Sequence, residues 1–165
     1  MAPGCARKGM SKARLRRSTK ADLERIWTLV GTVVCEVYGR VLPAGFTPEM
    51  DPGWEGGWVA EDAGRIVAVM LTDAQWLDDL WVDKEHRGRN LGRRLLTLAE
   101  EEIAARGHDR ARLRVVAENV AAILFYAAHG WREERRYPHE KHGFEMVEMI
   151  KDLDSLASRG RDSTS

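Results

Sequence analysis

A strand that leads through a basic, glycine-containing turn into a long amphipathic helix constrains the fold more than any other segment. Residues 76–82 are typical of a strand, and residues 91–106 place apolar side chains at helical spacing until Gly107 ends the pattern. Residues 84–94 hold five basic side chains against the single acid Glu85. Such a turn presents free backbone N–H groups at the positive end of a helix, which is what a pyrophosphate needs. The segment therefore predicts a nucleotide-type ligand, although basic residues at such turns also occur as plain surface.

The remaining periodicities predict a second strand–helix–strand step and two hairpins. Thr19 and Asp22 resemble a capping box that opens a helix. Asn119 is a good N-cap for another helix, which Gly130 ends. The predicted elements are strands over 13–17, 57–61, 65–71, 112–117, 131–136 and 144–150, and helices over 19–38 and 120–129. Together they predict an α/β fold with a mixed sheet and helices on both faces.

Length and composition predict one soluble domain. With 165 residues, of which 44% are hydrophobic, the chain can fill one core, placed at 13–153 between a flexible tail at 1–12 and a disordered tail at 154–165. Its apolar runs are far shorter than the roughly 20 residues of a membrane span, and its basic start lacks a secretory apolar stretch. Cys5 and Cys35 cannot form a disulfide framework, which indicates a reducing cytoplasm. A net charge of zero argues against nucleic acid as a partner.

The charges are unevenly distributed, which suggests two ligands of opposite sign. Residues 41–83 contain one base, Arg65, and nine acids, which are Glu49, Asp51, Glu55, Glu61, Asp62, Asp73, Asp78, Asp79 and Asp83. This acidic half abuts the basic segment at 84–94, so one ligand is expected to be cationic and the other to carry phosphates. Chance patterning of a solvated surface is the alternative. Residues 43–57, rich in Gly, Pro and Trp, are predicted to form an irregular, substrate-facing loop with room for a short helix.

Two motifs resemble those of the GNAT N-acetyltransferase family. Residues 87–92, Arg-Gly-Arg-Asn-Leu-Gly, resemble its signature Arg/Gln-x-x-Gly-x-Gly/Ala, with Asn90 where the family usually has glycine. Asparagine is the commonest non-glycine residue in left-handed conformations, so the turn is expected to be kept. Residues 119–131 resemble Asn-x-x-Ala-x-x-Phe-Tyr-x-x-x-Gly-Phe, with Trp131 at the last position. The resemblance covers roughly residues 13–153 and implies a twisted, mostly antiparallel sheet of about six to seven strands.

The resemblance implies acetyl-CoA as cosubstrate and an amine as acceptor. It assigns acetyl-CoA binding to Leu80, Trp81, Val82, Arg87, Gly88, Arg89, Asn90, Leu91, Gly92, Asn119 and Tyr126. In this family a backbone N–H near Leu80 or Trp81 polarises the thioester, and Tyr126 stands where relatives carry the acid that protonates the departing thiolate. A phenol with a pKa of about 10 stays protonated at neutral pH and can serve this purpose. The alternative is that Tyr126 is only an aromatic wall of the cofactor site.

Two adjacent carboxylates in the strand at 76–82 are the candidate groups for handling the amine. Strand alternation places Asp78 on the face of Leu80 and Val82, with its neighbour Asp79 pointing the other way unless a bulge shifts the phase. An acid at the place of Asp78 resembles that of amine and polyamine acetyltransferases, where it assists deprotonation. Asp78 is therefore predicted to be catalytic, and both carboxylates are predicted to bind substrate. A purely structural use is the alternative for each.

The acceptor is expected to be a small cation such as a polyamine, a diamine, an aminoglycoside or a basic amino acid. The alternatives are a protein N-terminus or lysine side chain, and a catalytically idle acyl-CoA-binding protein. The residues that choose the acceptor are expected before Gly57 and after Arg136. No metal site is expected, because His139 and His142 are three apart in a loop, whereas zinc peptidases need a spacing of four on a helix. Relatives are often dimers, so a homodimer is one assembly that the resemblance allows.

Overall fold

Seven strands form a single sheet in this computed structural model, which describes residues 12–153. The strands are β1 (Arg14–Arg17), β2 (Trp58–Asp62), β3 (Arg65–Asp73), β4 (Trp76–Val82), β5 (Arg110–Val116), β6 (Arg132–Pro138) and β7 (Glu145–Asp152). Their order is β1-β2-β3-β4-β5-β7-β6, and every neighbouring pair is antiparallel except β4 with β5. The predicted mixed, mostly antiparallel sheet is therefore confirmed. Cys5, the tail predicted at 154–165 and all but the last residue of the tail predicted at 1–12 lie outside the described residues.

Three helices cover the two faces of the sheet, as predicted. They are α1 (Leu23–Tyr38), α2 (Leu91–Ala105) and α3 (Val120–Ala128). On one face, α1 places Ile26 in a core with Val69 of β3. On the other, Leu95 of α2 and Tyr126 of α3 share a core with Leu113 of β5. Each such side chain contributes about 1.5–3 kcal/mol when fully buried, so the two cores hold the sheet between the helices. No helix within residues 12–153 is long and apolar enough to cross a membrane.

The first helix begins at the predicted capping box. The Thr19 N–H donates to the Asp22 carboxylate at 2.8 Å, and Lys20–Asp22 form a short 3₁₀ turn before α1 starts. Asp22 also accepts two hydrogen bonds from the Arg16 guanidinium of β1, at 2.8 and 2.9 Å, and one from Arg25 at 2.7 Å. These bonds, those from Arg16 above all, hold the pKa of the Asp22 carboxyl well below its usual value. A buried carboxylate thus ties β1 to the start of α1.

The last hairpin enters the sheet in an order that the sequence pattern did not predict. A second strand–helix–strand step exists, but β6 does not pair with β5, because β7 lies between them and pairs antiparallel with both. Val147 and Met149 of β7 are buried, whereas residues 132–136 of β6 are exposed. The hairpin therefore places its apolar strand inside the sheet and its charged strand at the edge, where charge discourages pairing with other chains.

Candidate active site

A groove opens where β4 and β5 separate. The two parallel strands pair only at Trp76↔Arg112 and Leu77↔Leu113, and they diverge beyond these residues. The resulting β4–β5 groove has a volume of about 650 Å³, which is in the size range of small-molecule sites. Its walls come from both strands, from the turn before α2 and from α3. They include Leu80, Val82, Arg87, Gly92, Val115 and Phe125.

A β-bulge marks the point of separation. Asp78 is the extra residue of β4, opposite the step between Leu71 and Thr72 of β3. Bulges of this kind redirect side chains and are common beside active sites. From the bulge onward, Asp78 and Leu80 line the groove, whereas Asp79 lines a second pocket. The two carboxylates therefore lie on opposite sides of β4, and alternation holds from Asp78 onward but not across the bulge, since Leu77 also lines the groove.

The turn from β4 into α2 lines one end of the groove. Gly88 has a φ of 74° and Asn90 a φ of 66°, so both adopt the left-handed conformation. The expectation that asparagine keeps this turn is confirmed. Asn90 is also the N-cap of α2, and the first N–H groups of a helix have no partner within it. Because Arg87 and Arg93 line the same end of the groove, the turn is suited to an anion.

Two arginines of this turn differ in how they are held. Arg87 donates from Nε to the Val82 carbonyl at 3.0 Å, and its guanidinium pairs with Glu36 of α1 at 2.7 Å. In contrast, the buried Nε of Arg89 has no hydrogen-bond partner among residues 12–153. A buried N–H without a partner costs about 1–3 kcal/mol, so an acceptor atom of a ligand would relieve this cost.

His86 anchors the start of the turn. It is 7% exposed, and its ring nitrogens lie 3.0 Å from the Asp83 carboxylate and 2.9 Å from that of Asp62 in β2. The turn is therefore tied to the β2–β3 hairpin, which limits its movement around a bound anion.

Asn119 connects α3 to α1. Its Oδ1 accepts the Ala122 N–H at 3.2 Å, as predicted for an N-cap, and this orients Nδ2 toward the Tyr38 hydroxyl, to which it donates at 2.9 Å. A hydroxyl that accepts one bond still has a hydrogen to donate. Burial raises the pKa of the Tyr38 phenol, so that hydrogen is retained at neutral pH. Sequence patterns gave no reason to select Tyr38, because a tyrosine in the last turn of a helix is commonly a core residue.

Tyr126 lines the groove from α3. It is 9% exposed, and its ring packs against Phe125 and Trp131 with centroids 5.4 and 5.9 Å apart. Burial above all, and then the nearby Tyr38 and Asp79, raise the pKa of the Tyr126 phenol. The hydroxyl therefore keeps its proton at neutral and moderately alkaline pH, and it is a proton donor under these conditions.

A second cavity, the α1 pocket, has a volume of about 290 Å³ and lies beside the groove. The two cavities share Tyr38 and Trp81, whose rings meet edge to face with centroids 6.2 Å apart. The other residues that line the α1 pocket are Val30, Val34, Val41, Leu42, Phe46, Pro48, Glu49, Asp51, Trp54, Asp79, Val116 and Phe144. The loop predicted to face substrate, residues 43–57, supplies five of them. Three of the lining residues are acidic and none is basic.

Asp79 is a half-buried carboxylate that accepts hydrogen bonds in the α1 pocket. Its Oδ2 accepts the Trp54 indole N–H at 3.0 Å, and its Oδ1 accepts the Trp81 indole N–H at 2.8 Å. Burial raises the pKa of the Asp79 carboxyl, and the two indole bonds oppose this rise. The indoles fix the plane of the carboxylate and leave lone pairs for another donor, such as an ammonium group.

Asp78 has different surroundings on the groove side of β4. Asp78 is exposed on this side, but desolvation by its neighbours, followed by the charges of Asp79 and Asp73, raises its pKa to about 6. The Arg114 guanidinium, which stacks over the Trp76 ring at 4.0 Å, opposes this rise. Asp78 lines the groove and not the α1 pocket, so of the two predicted substrate-binding carboxylates only Asp79 lines that pocket.

Comparison with known proteins identifies the family. The profile described as an acetyltransferase (GNAT) domain matches residues 33–153, which is well over half of the chain. The chain belongs to the GNAT acetyltransferase family. The matched range contains β2 to β7 and both motifs, so the resemblance inferred from the sequence is confirmed.

Individual relatives of this GNAT chain agree with the assignment. An uncharacterised N-acetyltransferase of Methanocaldococcus jannaschii is 33% identical over 104 residues, which are 63% of this chain and 40% of that protein. The chain thus spans less than half the length of this curated relative. The solved structure of YjaB from Escherichia coli matches with a TM-score of 0.70 at 20% identity, over 85% of this chain and 97% of that one. The structure of YncA from Salmonella typhimurium with its cofactor acetyl-CoA matches with a TM-score of 0.69 at 18% identity, over 87% of this chain and 95% of that one.

The groove of this GNAT domain fits acetyl-CoA, the cosubstrate of the family. The left-handed turn before α2 suits an anion, and Arg87 and Arg93 line the groove beside it. At Gly92 a Cβ would meet the Phe125 ring at 3.5 Å, so glycine leaves space between α2 and α3. Nine of the eleven residues predicted to bind acetyl-CoA line the groove, and the two that do not are Arg89 and Leu91. Leu91 is instead buried in the core at 1% exposure.

Gly92→Glu is expected to weaken acetyl-CoA binding by tenfold or more, about 1.4 kcal/mol. Wild-type affinity is expected in the micromolar range, about −8 kcal/mol. The glutamate would fill space beside Phe125 and place negative charge where phosphates are expected. An acid in the first turn of a helix stabilises that helix, so the variant is expected to fold. Calorimetry measures the affinity, with Gly92→Ala as the matched control because its Cβ makes an ordinary contact. Undiminished affinity in Gly92→Glu would remove this assignment.

Proposed function

We propose that the chain transfers the acetyl group of acetyl-CoA to the primary amine of a small cationic acceptor, by direct attack of the amine. The α1 pocket carries this proposal, since it contains three acids and no base. It also shares Tyr38 and Trp81 with the β4–β5 groove, so an amine held there lies next to the groove. A cavity for a cation beside a cavity suited to phosphates is what a reaction between an amine and acetyl-CoA needs.

The groove residues are proposed to hold acetyl-CoA along its length. The turn 87–92 would bind the pyrophosphate, through the N–H groups at the start of α2 and the charges of Arg87 and Arg93. When bound, acetyl-CoA supplies an acetyl group activated as a thioester. A backbone N–H near Leu80 or Trp81 is proposed to donate to the thioester carbonyl, because beyond Leu77 this edge of β4 has no strand partner among the described residues.

Asp79 is proposed to bind the ammonium group and to take up its proton. An ordinary aspartate, with a pKa of about 3.9, is mismatched to an amine of about 10.4 by about 6 pKa units, roughly 9 kcal/mol. Burial raises the pKa of Asp79 and so narrows this mismatch. Asp78, with a pKa of about 6, remains the base predicted from the sequence. However, it lines the groove, which is on the other side of β4 from the α1 pocket.

Tyr126 is proposed to give its proton to the departing sulfur. The apolar surroundings that raise the pKa of its phenol would also raise the pKa of a thiol bound beside it, which favours protonation of the departing thiolate. The hydroxyl of Tyr38, held by Asn119 where the two cavities meet, is the other proton donor within reach of both. In the net reaction an N–C bond forms and the C–S bond breaks, and a protonated amine with acetyl-CoA gives an amide, free CoA thiol and one proton.

Release of CoA thiol across a panel of small primary amines and peptides tests the proposal. We expect acceptor-dependent release with small cationic amines. Amine binding should weaken with salt, because the Debye length falls from about 10 Å at 0.1 M to about 3 Å at 1 M and screens the exposed Glu49. Release with peptides alone would favour the alternative, a protein N-terminus or lysine side chain. A best acceptor that is neutral or anionic would contradict the proposal.

A further inference from the structure

The lining of the α1 pocket lacks most of the groups that bind polar ligands. No Ser, Thr, Asn, Gln, Lys or Arg side chain lines it, and apart from Tyr38 and the three acids every lining residue is apolar or aromatic. Both indole N–H groups, those of Trp54 and Trp81, are already donated to Asp79. A hydroxyl group or a second ammonium group that entered this pocket out of reach of the three acids would therefore lose its bonds to water without adequate replacement.

The three acids of the pocket are not equivalent. Glu49 is exposed to solvent, so its charge is screened. Asp51 uses one oxygen to cap the short turn at 52–54, because its Oδ1 accepts the Gly53 N–H at 2.7 Å. Asp79 is half-buried, and two indole N–H groups fix the plane of its carboxylate. The position that the pocket defines best for an ammonium group is therefore beside Asp79.

Aromatic rings also line the α1 pocket. Phe46 and Phe144 line it, and the His142 ring stacks on Phe144 with centroids 5.7 Å apart and planes 11° apart. Phe46 meets His142 edge to face at 6.0 Å. Rings arranged in this way give a further aromatic ring both faces and edges to pack against. A volume of about 290 Å³ equals that of about ten water molecules in the liquid.

We propose that the acceptor is a primary monoamine in which a single ammonium group is joined to an apolar, aromatic body, as in an arylalkylamine. This inference rests on the proposed function, namely amine acetylation in the α1 pocket. The ammonium group binds Asp79, and the ring packs against Phe46 and Phe144. Polyamines, aminoglycosides and basic amino acids carry further polar groups for which this lining has too few partners, so they are rejected.

The test compares kcat/KM for 2-phenylethylamine with three matched amines, by CoA thiol release. n-Propylamine keeps the ammonium group and lacks the ring, putrescine adds a second ammonium group, and tyramine adds a hydroxyl to the ring. We expect 2-phenylethylamine to exceed n-propylamine by about 10- to 150-fold, the effect of burying one phenyl group. Putrescine should be no better than n-propylamine, and tyramine should fall below 2-phenylethylamine.

A binding measurement and two variants connect this preference to the pocket. Because Trp54 and Trp81 line the cavity, titration with 2-phenylethylamine should change the tryptophan fluorescence without acetyl-CoA. Phe46→Ala should lower the ratio of 2-phenylethylamine to n-propylamine activity by about tenfold. The matched control is Leu124→Ala, since Leu124 is 63% exposed on α3 and lines neither cavity. That control should leave the ratio unchanged.

The outcomes separate this inference from the proposed function. A preference for putrescine, an aminoglycoside or lysine over 2-phenylethylamine would overturn the inference and leave amine acetylation standing. An unchanged ratio in Phe46→Ala would likewise overturn the inference. Turnover of peptides with none of the small amines would overturn the proposed function and, with it, the acceptor inferred here.

Discussion

Tyr126→Phe is expected to lower kcat by about 100- to 10,000-fold, the usual effect of general acid catalysis, and to leave acetyl-CoA affinity within about threefold of wild type. The substitution removes only the proposed proton donor. The ring contacts with Phe125 and Trp131 remain, so the wall of the groove is kept. Steady-state kinetics measure kcat, and calorimetry measures the affinity for acetyl-CoA.

The pH dependence of this loss follows from the direction of the pKa shift. Burial raises the pKa of Tyr126 above its ordinary value, so the wild-type phenol is protonated throughout the neutral and moderately alkaline range. The ratio of wild-type to variant kcat should therefore be constant from about pH 7 to pH 9. A ratio that falls steadily through this range would mean that the Tyr126 phenol is losing its proton, contrary to its burial.

Tyr38→Phe is the matched variant, because it removes the hydroxyl of the other candidate proton donor, which lines both cavities. Asn119 would lose a hydrogen-bond acceptor in this variant but keep its cap contact with Ala122. If Tyr126→Phe changes kcat by less than about threefold while Tyr38→Phe lowers it by 100-fold or more, Tyr38 is the acid and Tyr126 is a wall residue.

Local sequence patterns predicted the elements that depend on local physics. The bounds of β4 agree with the prediction, and the start of α2 follows from a turn that only left-handed residues at Gly88 and Asn90 can form. Asn119 caps α3 because its short side chain reaches the N–H three residues on. The motif 87–92 was therefore sufficient to predict the conformation of the turn, and the anion site at this turn stays a prediction.

The contacts that build the α1 pocket could not be predicted in the same way. Phe46, Trp54 and Phe144 come from segments that carry no motif and meet only after the sheet has formed. The sequence offered one signal, the combination of acids with Gly, Pro and Trp at 43–57, and this correctly marked the loop but gave no partner for Asp79. Long-range contacts of this kind depend on strand order and on the bulge at Asp78, neither of which leaves a local pattern.

Asp79→Asn is expected to lower kcat/KM for the best amine by about 30- to 5,000-fold. This range corresponds to about 2–5 kcal/mol, the usual cost of removing one member of a buried charge pair. The substitution preserves the shape of the side chain but removes the charge that is proposed to bind the ammonium group. Asp78→Asn is the matched neighbour on the opposite side of β4, and it should change kcat/KM far less if Asp79 is the group that contacts the amine.

The indole bonds require a second variant. Trp54 and Trp81 both donate to Asp79, whereas asparagine has one acceptor oxygen, so Asp79→Asn leaves an indole N–H unsatisfied at a cost of about 1–3 kcal/mol. Adding Trp54→Phe removes the extra donor, and Trp54→Phe alone supplies the reference. In thermal unfolding, Asp79→Asn should have a lower Tm than wild type. The same substitution should lower the Tm by less in the Trp54→Phe background. The loss of kcat/KM should persist in that background.

The pH profile separates the two carboxylates. Below the raised pKa of Asp79 the wild-type carboxyl is itself neutral, and above about pH 10.4 most of the amine is free base. The loss of kcat/KM in Asp79→Asn should therefore be largest between these two limits. Asp78 has a pKa of about 6, and a base with this pKa gives a rate that rises as pH increases through 6, because the carboxylate is then deprotonated. Two results together would contradict the role proposed for Asp79. They are the loss of this rise in the Asp78→Asn enzyme and a wild-type kcat/KM between the two limits in the Asp79→Asn enzyme. Asp78 would then be the group that takes up the amine's proton.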